Sequence, residues 1–327
     1  MSYLLRGVAA AGGIRVVAAD TTKLVEEARV RHDTSPTATA ALGRTLTGAL
    51  LLSHVLLKNP QDRATLRLRG DGPLGGVIAD AGLDGAVRGY VNHPNATLPP
   101  RPDGKLNVGG ALGRGDLQVI RAHAPYGDPY SSSVDLVTGE IAEDITVFLA
   151  QSEQINSAVL LGVYIEPSGV VKSGGVILQA LPNADEGALA RLEANVRALG
   201  QLTDAMRRAS LIEIIEELCG SLEFKLLTPD ALPLRFACRC SDEKALDALA
   251  YFSPEERERM IDEDGGAEVV CHWCGEARWL EPGALRSISQ NEIRCPDCDT
   301  LWYREGQAKM VRESESCACG RPVTLPS

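Results

Sequence analysis

Phe236-Ala237-Cys238-Arg239-Cys240-Ser241 and Cys271-His272-Trp273-Cys274-Gly275, with 30 residues between Cys240 and Cys271, form the stretch that decides how this chain is read. The chain has nine cysteines, and none falls in the first 218 residues. Cys219 stands alone, and the other eight form four close pairs: Cys238/Cys240, Cys271/Cys274, Cys295/Cys298 and Cys317/Cys319. In a reducing compartment such pairs read first as metal ligands or redox switches, not as structural disulfides. Four thiolates suit Zn²⁺, which is borderline soft and accepts tetrahedral S₄ geometry. A Cys-x-x-Cys pair supplies two ligands from one tight turn, and Gly275 suits such a turn. The interval between the two pairs has room for a helical hairpin, 241–249 and 254–262, that folds them together. On spacing alone this is either a permanently reduced zinc clip or a switch. Bound thiolates can be oxidised, and a disulfide within a pair would remove two ligands. A structural zinc contributes on the order of 10–16 kcal/mol, against a net domain stability of about 5–15 kcal/mol, so its loss should unfold the module.

Outward from these pairs, the rest of the chain sets limits. At roughly 150 residues per domain, 327 residues suggest about two domains. Hydrophobic residues at 44% and charged residues at 24% give an ordinary globular balance. A net charge of −11 disfavours neutralisation of many phosphates, and 4% aromatics gives little support to a base-stacking surface. The longest apolar run, 48–57, is short of the roughly 20 residues of a membrane span. Arg6 interrupts the N-terminal apolar stretch with no positive region ahead of it, against a secretory signal. The expectation is a soluble, cytoplasmic chain with neither nucleic acid nor membrane as partner.

The first 180 or so residues alternate strand and helix signals. Residues 14–19 read as a strand and 21–31 as an amphipathic helix. Ser35-Pro36 caps a helix running to about Leu57, stopped by Asn59-Pro60. Short strands follow at 65–69, 76–80 and 86–91, punctuated by Gly70-Asp71-Gly72-Pro73 and Leu83-Asp84-Gly85. Strands at 116–122 and 132–136, a helix at 140–151 and a hairpin of 157–165 with 170–179 complete this part. From Asp185 to about Ala237 the period becomes helical, with Leu189, Leu192, Val196 and Leu199 on one stripe. That stripe fits an ordinary core-facing helix as well as a surface buried in one state and offered in another.

Phe236-Ala-Cys238-Arg-Cys240-Ser with Cys271-His-Trp-Cys274-Gly275 resembles the zinc centre of the heat shock protein 33 family of redox-regulated holdase chaperones. Leu66-Arg-Leu-Arg-Gly70-Asp71-Gly72-Pro73-Leu74, Gly85-Ala-Val-Arg88-Gly89-Tyr90 and Gln151-Ser152-Glu153-Gln154 are similar to family segments in the same order. So are Gly174-Gly175-Val-Ile-Leu-Gln179-Ala-Leu-Pro182 and Met260-Ile-Asp-Glu-Asp264-Gly265. The resemblance covers roughly 1–290 and implies an α+β fold in parts. These are an N-terminal mixed α/β domain (1–183), a helical linker (184–236) and a redox-sensing zinc domain (237–290); a cysteine-containing extension (291–327) follows beyond the resemblance. It implies Zn²⁺ on Cys238, Cys240, Cys271 and Cys274 in the reduced state. Upon oxidation it implies Cys238–Cys240 and Cys271–Cys274 disulfides, loss of zinc and unfolding of the C-terminal part and linker. The exposed surface would bind unfolding or oxidatively damaged client proteins without ATP or catalytic turnover. The family form is a monomer when reduced and a homodimer when oxidised.

The resemblance stops near Ser289. Cys295, Cys298, Cys317 and Cys319 fit a second zinc site, or a tail whose thiols bind nothing. Cys271/Cys274 with Cys295/Cys298 also have zinc-ribbon spacing, which would put Cys238 and Cys240 in doubt as ligands. Cys219, at a helix end, reads as a small buried hydrophobe. His272 reads as a bystander, and His32, His54, His93 and His123 show no spacing of a metal or catalytic site. The glycines of 109–115 lack the P-loop lysine and are followed by a strand. A thiol–disulfide oxidoreductase is the enzyme alternative, although such enzymes place one Cys-x-x-Cys at a helix start. A zinc-ribbon binding protein is the third reading.

Overall fold

The computed structural model describes residues 1–122, 129–182, 184–227 and 230–288, with the backbone of 292–294 and 301–303. The chain divides into two compact units: Met1–Cys238 with His272–Gly275, and Arg239–Cys271 with the chain from Glu276 on.

The first unit opens with β1 (Tyr3–Ala9), β2 (Ile14–Asp20), α1 (Thr22–His32), α2 (Pro36–Leu56), β3 (Arg63–Gly70), β4 (Gly76–Gly82) and β5 (Ala86–Val91). Then come α3 (Val108–Leu112), β6 (Gly115–Ala122), β7 (Tyr130–Asp135), α4 (Ala142–Gln151), β8 (Ser157–Glu166) and β9 (Gly169–Ala180). It ends with α5 (Glu186–Leu199), α6 (Leu202–Arg208), α7 (Leu211–Cys219) and three two-residue strands: β10 (Lys225–Leu226), β11 (Leu232–Pro233) and β12 (Arg235–Phe236). One sheet runs β10-β1-β2-β9-β8 with β11 also on β1, and the other runs β12-β5-β4-β3-β6-β7.

Helix α2 explains why the two sheets come together. Its sequence is apolar or small on every side, and such a helix is stable only when covered all round. It is buried from Thr37 through Ser53 with few breaks, against β3, β4 and β5 of one sheet and β2, β8 and β9 of the other. Ser35 caps it by accepting from the Ala38 N–H. Thr45 and Thr47, buried at its centre, donate their hydroxyls to the carbonyls of Ala41 and Gly43 one turn back.

β1 and α3 are among the elements that carry no signal in the sequence. The N-terminal stretch becomes β1 through its pairing with β2, from Tyr3↔Asp20 to Ala9↔Ile14. The glycine run becomes α3, capped by Asn107, whose side chain accepts from the Gly110 N–H. The reason is close approach. A Cβ on Gly70 would lie 1.9 Å from the Leu112 carbonyl oxygen, and one on Gly72 would lie 2.4 Å from that of Ala111.

The apolar faces of α5, α6 and α7 lie on the sheet holding β2 and β9. Leu192, Leu199, Met206, Ile214 and Leu218 pack there with Ile14, Val16 and Leu178. Leu189 and Val196, half-buried, border the same cluster. The expected helical linker (184–236) is helical only as far as 222: Lys225–Leu226, Leu232–Pro233 and Arg235–Phe236 instead pair with β1 and β5 as β10, β11 and β12, because those sheet edges offer free backbone partners.

His54, in the last turn of α2, has both ring nitrogens buried with no hydrogen-bond partner among the described residues. Burial, with a smaller contribution from Arg6, lowers it from 6.5 to about 4. The folded state thus favours neutral His54, and as pH falls from 6.5 towards 4 the unfolded chain takes up the proton first. Stability should fall over that window by up to about 3 kcal/mol. Urea midpoints at pH 7 and pH 4.5 check this: His54→Leu should flatten the drop, and an unchanged drop would refute it.

The second unit holds α8 (Asp242–Leu249), α9 (Pro254–Asp264), β13 (Ala267–Val270), β14 (Ala277–Leu280) and α10 (Pro282–Ser287). Beyond them β15 (Glu292–Arg294) pairs antiparallel with β16 (Leu301–Tyr303). Ser241 and Ser253 cap α8 and α9, the latter through a reciprocal box with Glu256. The buried apolar cluster is small: Ala245, Leu249, Ile261, Ala267, Leu280 and Leu285. Among the described residues, no helix is long and apolar enough to cross a membrane.

Candidate metal centre

Local structure presents each cysteine pair. Cys238 follows β12 after one residue, Ala237, whose N–H donates to the Val87 carbonyl. Cys271 follows β13 directly, and Cys274 lies on the way into β14. The Cys-x-x-Cys pair therefore occupies the tip of a hairpin, closed at its base by Val270↔Ala277 and by the Cys271 N–H donating to the Glu276 carbonyl at 2.9 Å. Gly275 makes the turn possible. Its φ of +69° strains any residue with a Cβ, and a Cβ there would meet the Arg31 carbonyl oxygen at 2.4 Å.

The sulfurs of Cys238, Cys240, Cys271 and Cys274 all lie within 4.8 Å of one another. A tetrahedral ion with metal–sulfur bonds of about 2.3 Å would set its sulfurs about 3.8 Å apart, so the cluster fits one ion with little adjustment. An all-sulfur donor set suits zinc and disfavours hard cations such as Mg²⁺ or Ca²⁺. Cys274 is buried and the other three are half-buried. His272 is not in the group; its ring rests 6.1 Å from that of Tyr90.

Two aromatic side chains seat these segments, and sequence reading missed the role of both. Phe236 packs under the Arg31 guanidinium at 5.5 Å and edge-on to His32 at 6.2 Å, at the C-terminal end of α1. Trp273, between the two cysteines of the hairpin tip, takes the Arg88 guanidinium over its ring at 4.3 Å and meets Tyr90 edge-on at 5.5 Å. Arg88 is itself fixed, its Nε donating to Asp80 at 3.1 Å. Asp80 is 5% exposed and also accepts from Arg63 and Thr65. The only signal available in the sequence was an aromatic residue inside a Cys-x-x-Cys pair.

Cys219 stands apart, wholly buried at the end of α7 as expected of a small hydrophobe, and burial pushes its thiol up to about 11. Cys295, Cys298, Cys317 and Cys319, the expected second site, lie outside the described residues.

Fold and site together define an α+β protein whose C-terminal part carries a four-cysteine cluster fitted to a soft divalent metal. The model of the Hsp33 protein family matches residues 2–280. The chain is 54% identical to a 33 kDa chaperonin of Thermus thermophilus, over all of this chain and 98% of that one. To the 33 kDa chaperonin of Deinococcus radiodurans it is 49% identical, covering 89% of this chain and 99% of the relative. The crystal structure of the heat shock protein 33 homologue of Thermotoga maritima superimposes with a TM-score of 0.80 at 32% identity, over 88% of this chain and 97% of that one. The chain belongs to the Hsp33 family.

Proposed function

We propose that this chain is a redox-regulated, ATP-independent holdase without catalytic turnover. The observation that carries the reading is the convergence of Cys238, Cys240, Cys271 and Cys274 within 4.8 Å in a chain of this family. In the reduced state these four cysteines would hold Zn²⁺. Zinc, when bound, supplies cohesion among the four sulfurs and no redox change of its own. The sensing chemistry belongs to the thiols. Cys238 with Cys240, and Cys271 with Cys274, would each give up two electrons as their two thiolates join in an S–S bond; one hydrogen peroxide per pair takes up those electrons with two protons from solvent and leaves as two waters. Each disulfide would remove two ligands.

The linker, 184–236, then becomes the working part. In the reduced state its apolar residues pack on the β2–β9 sheet, and a solvent-open cleft of about 510 Å³ lies beside α5, lined by Ala158, Leu178, Leu189, Leu192 and Val196 among others. That cleft opens to solvent, so this face of α5 is only partly covered, which supports α5 as a readily detached element. Detached, the helices and the uncovered sheet face offer apolar surface to unfolding or oxidatively damaged clients, bound without regard to sequence. The chain works in the cytoplasm, as a monomer when reduced and a homodimer when oxidised. The placement of Cys271 and Cys274 at a hairpin tip, away from a helix N-terminus, weighs against a thiol–disulfide oxidoreductase.

The test compares two samples for suppressing aggregation of a chemically unfolded client. One is reduced and zinc-loaded; the other is treated with peroxide under mildly unfolding conditions, with zinc release followed in both. Protection only after oxidation, with zinc loss, is the expected result. Equal protection by both would leave a chaperone with a purely structural metal, and protection by neither would sink the chaperone reading.

A further inference from the structure

We infer that Arg278 is the positioning residue of the cluster, holding Cys240 in place and offsetting the negative charge of its sulfur. The inference rests on the reading that the four cysteines bind zinc. Arg278 sits on β14 opposite Val269. Its Nη2 donates to Cys240 Sγ at 3.6 Å and to Glu276 Oε1 at 2.9 Å, and its Nη1 donates to Asp242 Oδ1 at 2.5 Å. The side chain is 22% exposed, so water competes only in part for these bonds. Cys240 is also 3.8 Å from Glu276 Oε2.

The arrangement does two things. Four thiolates around one divalent ion leave an excess of negative charge; the guanidinium is the positive group beside the Cys240 sulfur, opposed in part by Glu276 Oε2 at 3.8 Å. Arginine is suited to this because it stays charged and its planar fork can bond the sulfur and both carboxylates at once. Asp242 and Glu276 orient the fork, as outer-shell partners orient metal ligands elsewhere. The second effect is on reactivity. An N–H donated into a sulfur lone pair withdraws electron density, and a less basic sulfur attacks an electrophile more slowly. Arg278 thereby makes Cys240 the guarded sulfur of the Cys238/Cys240 pair.

The test uses the full-length, reduced, zinc-loaded chain and its Arg278→Gln and Arg278→Lys variants. Zinc affinity is read by competition with a chromophoric chelator, and iodoacetamide alkylation is resolved by peptide mass spectrometry. Arg278→Gln should weaken zinc binding roughly 10–100-fold, the usual effect of losing an outer-shell partner, and should raise the alkylation of Cys240 relative to Cys238. Arg278→Lys, which keeps the charge but not the fork, should restore part of the affinity. Unchanged affinity with an unchanged alkylation ratio would overturn the inference. So would an equal rise at all four cysteines with loss of helical circular dichroism, which would mark Arg278 as merely structural. Failure of the unsubstituted chain to take up zinc would instead overturn the metal reading beneath it.

Discussion

Stripping zinc from the reduced, zinc-loaded protein with a strong chelator should melt the α8–α10 unit and leave the α2-centred sandwich folded. The reason is the size of the two cores. The sandwich buries α2 on all sides, whereas the described part of the second unit buries six apolar side chains, two of them alanine. A core of that size supplies at most about 3–5 kcal/mol, while a structural zinc supplies on the order of 10–16 kcal/mol. Capping by Ser241 and Ser253 adds about 1 kcal/mol each, too little to close the gap. Cys274→Ser, which removes the buried sulfur of the cluster, should have the same effect without a chelator. Circular dichroism and native-state hydrogen exchange would follow it: protection should vanish from α8, α9 and β13 and persist in α2 and β3. A second unit that keeps its protection after the metal is shown to be gone would overturn the prediction.

Replacing Asp80 by asparagine should cost the first unit about 3–5 kcal/mol, the usual penalty for removing one partner of a buried ion pair. Asp80 is 5% exposed and accepts from Arg63, Arg88 and Thr65. Without its charge, two guanidinium groups lose their shared buried partner. Of the two, Asp84, 44% exposed, reaches only Arg63, at 3.4 Å. The loss should also register at the hairpin tip. Arg88 lies over Trp273 because Asp80 holds it there, so Asp80→Asn should shift the Trp273 emission as well as the urea midpoint. Asp84→Asn, a change at an exposed pair, should cost under about 1 kcal/mol. A loss under about 1 kcal/mol for Asp80→Asn, the range of an exposed pair, would show that the pair is not the anchor described here.

Much of the fold was legible because the residues that set it act locally. Ser35-Pro36 and the mostly apolar and small residues that follow announce α2, and Glu166-Pro167-Ser168-Gly169 announces the β8–β9 hairpin. The helices between the cysteine pairs were equally clear from Ser241, Ser253 and Pro254. What could not be read depends on partners distant in sequence. β1 is a strand because β2 and two later two-residue strands pair with it, and α3 forms because Gly70 and Gly72, far earlier in the chain, leave room for it. The site divides in the same way. Spacing nominated the four cysteines, since close pairs are a local pattern. The seating of Trp273 on Arg88 and Tyr90, and of Phe236 on Arg31, joins segments far apart in the chain and leaves no periodic trace. Arg278 is two residues from Glu276, but nothing in that spacing points to Cys240.

One residue separates β12 from Cys238, and its N–H is already committed to the Val87 carbonyl at 2.8 Å. The chain between the edge of a sheet and the first sulfur therefore has no slack. Displacement of the Cys238 sulfur cannot be absorbed by an intervening loop; it draws at once on a strand of two residues held beside β5. In mechanical terms the lever is short: whatever strain the Cys238 side chain cannot take up by rotation falls on a two-residue strand at the edge of the sheet.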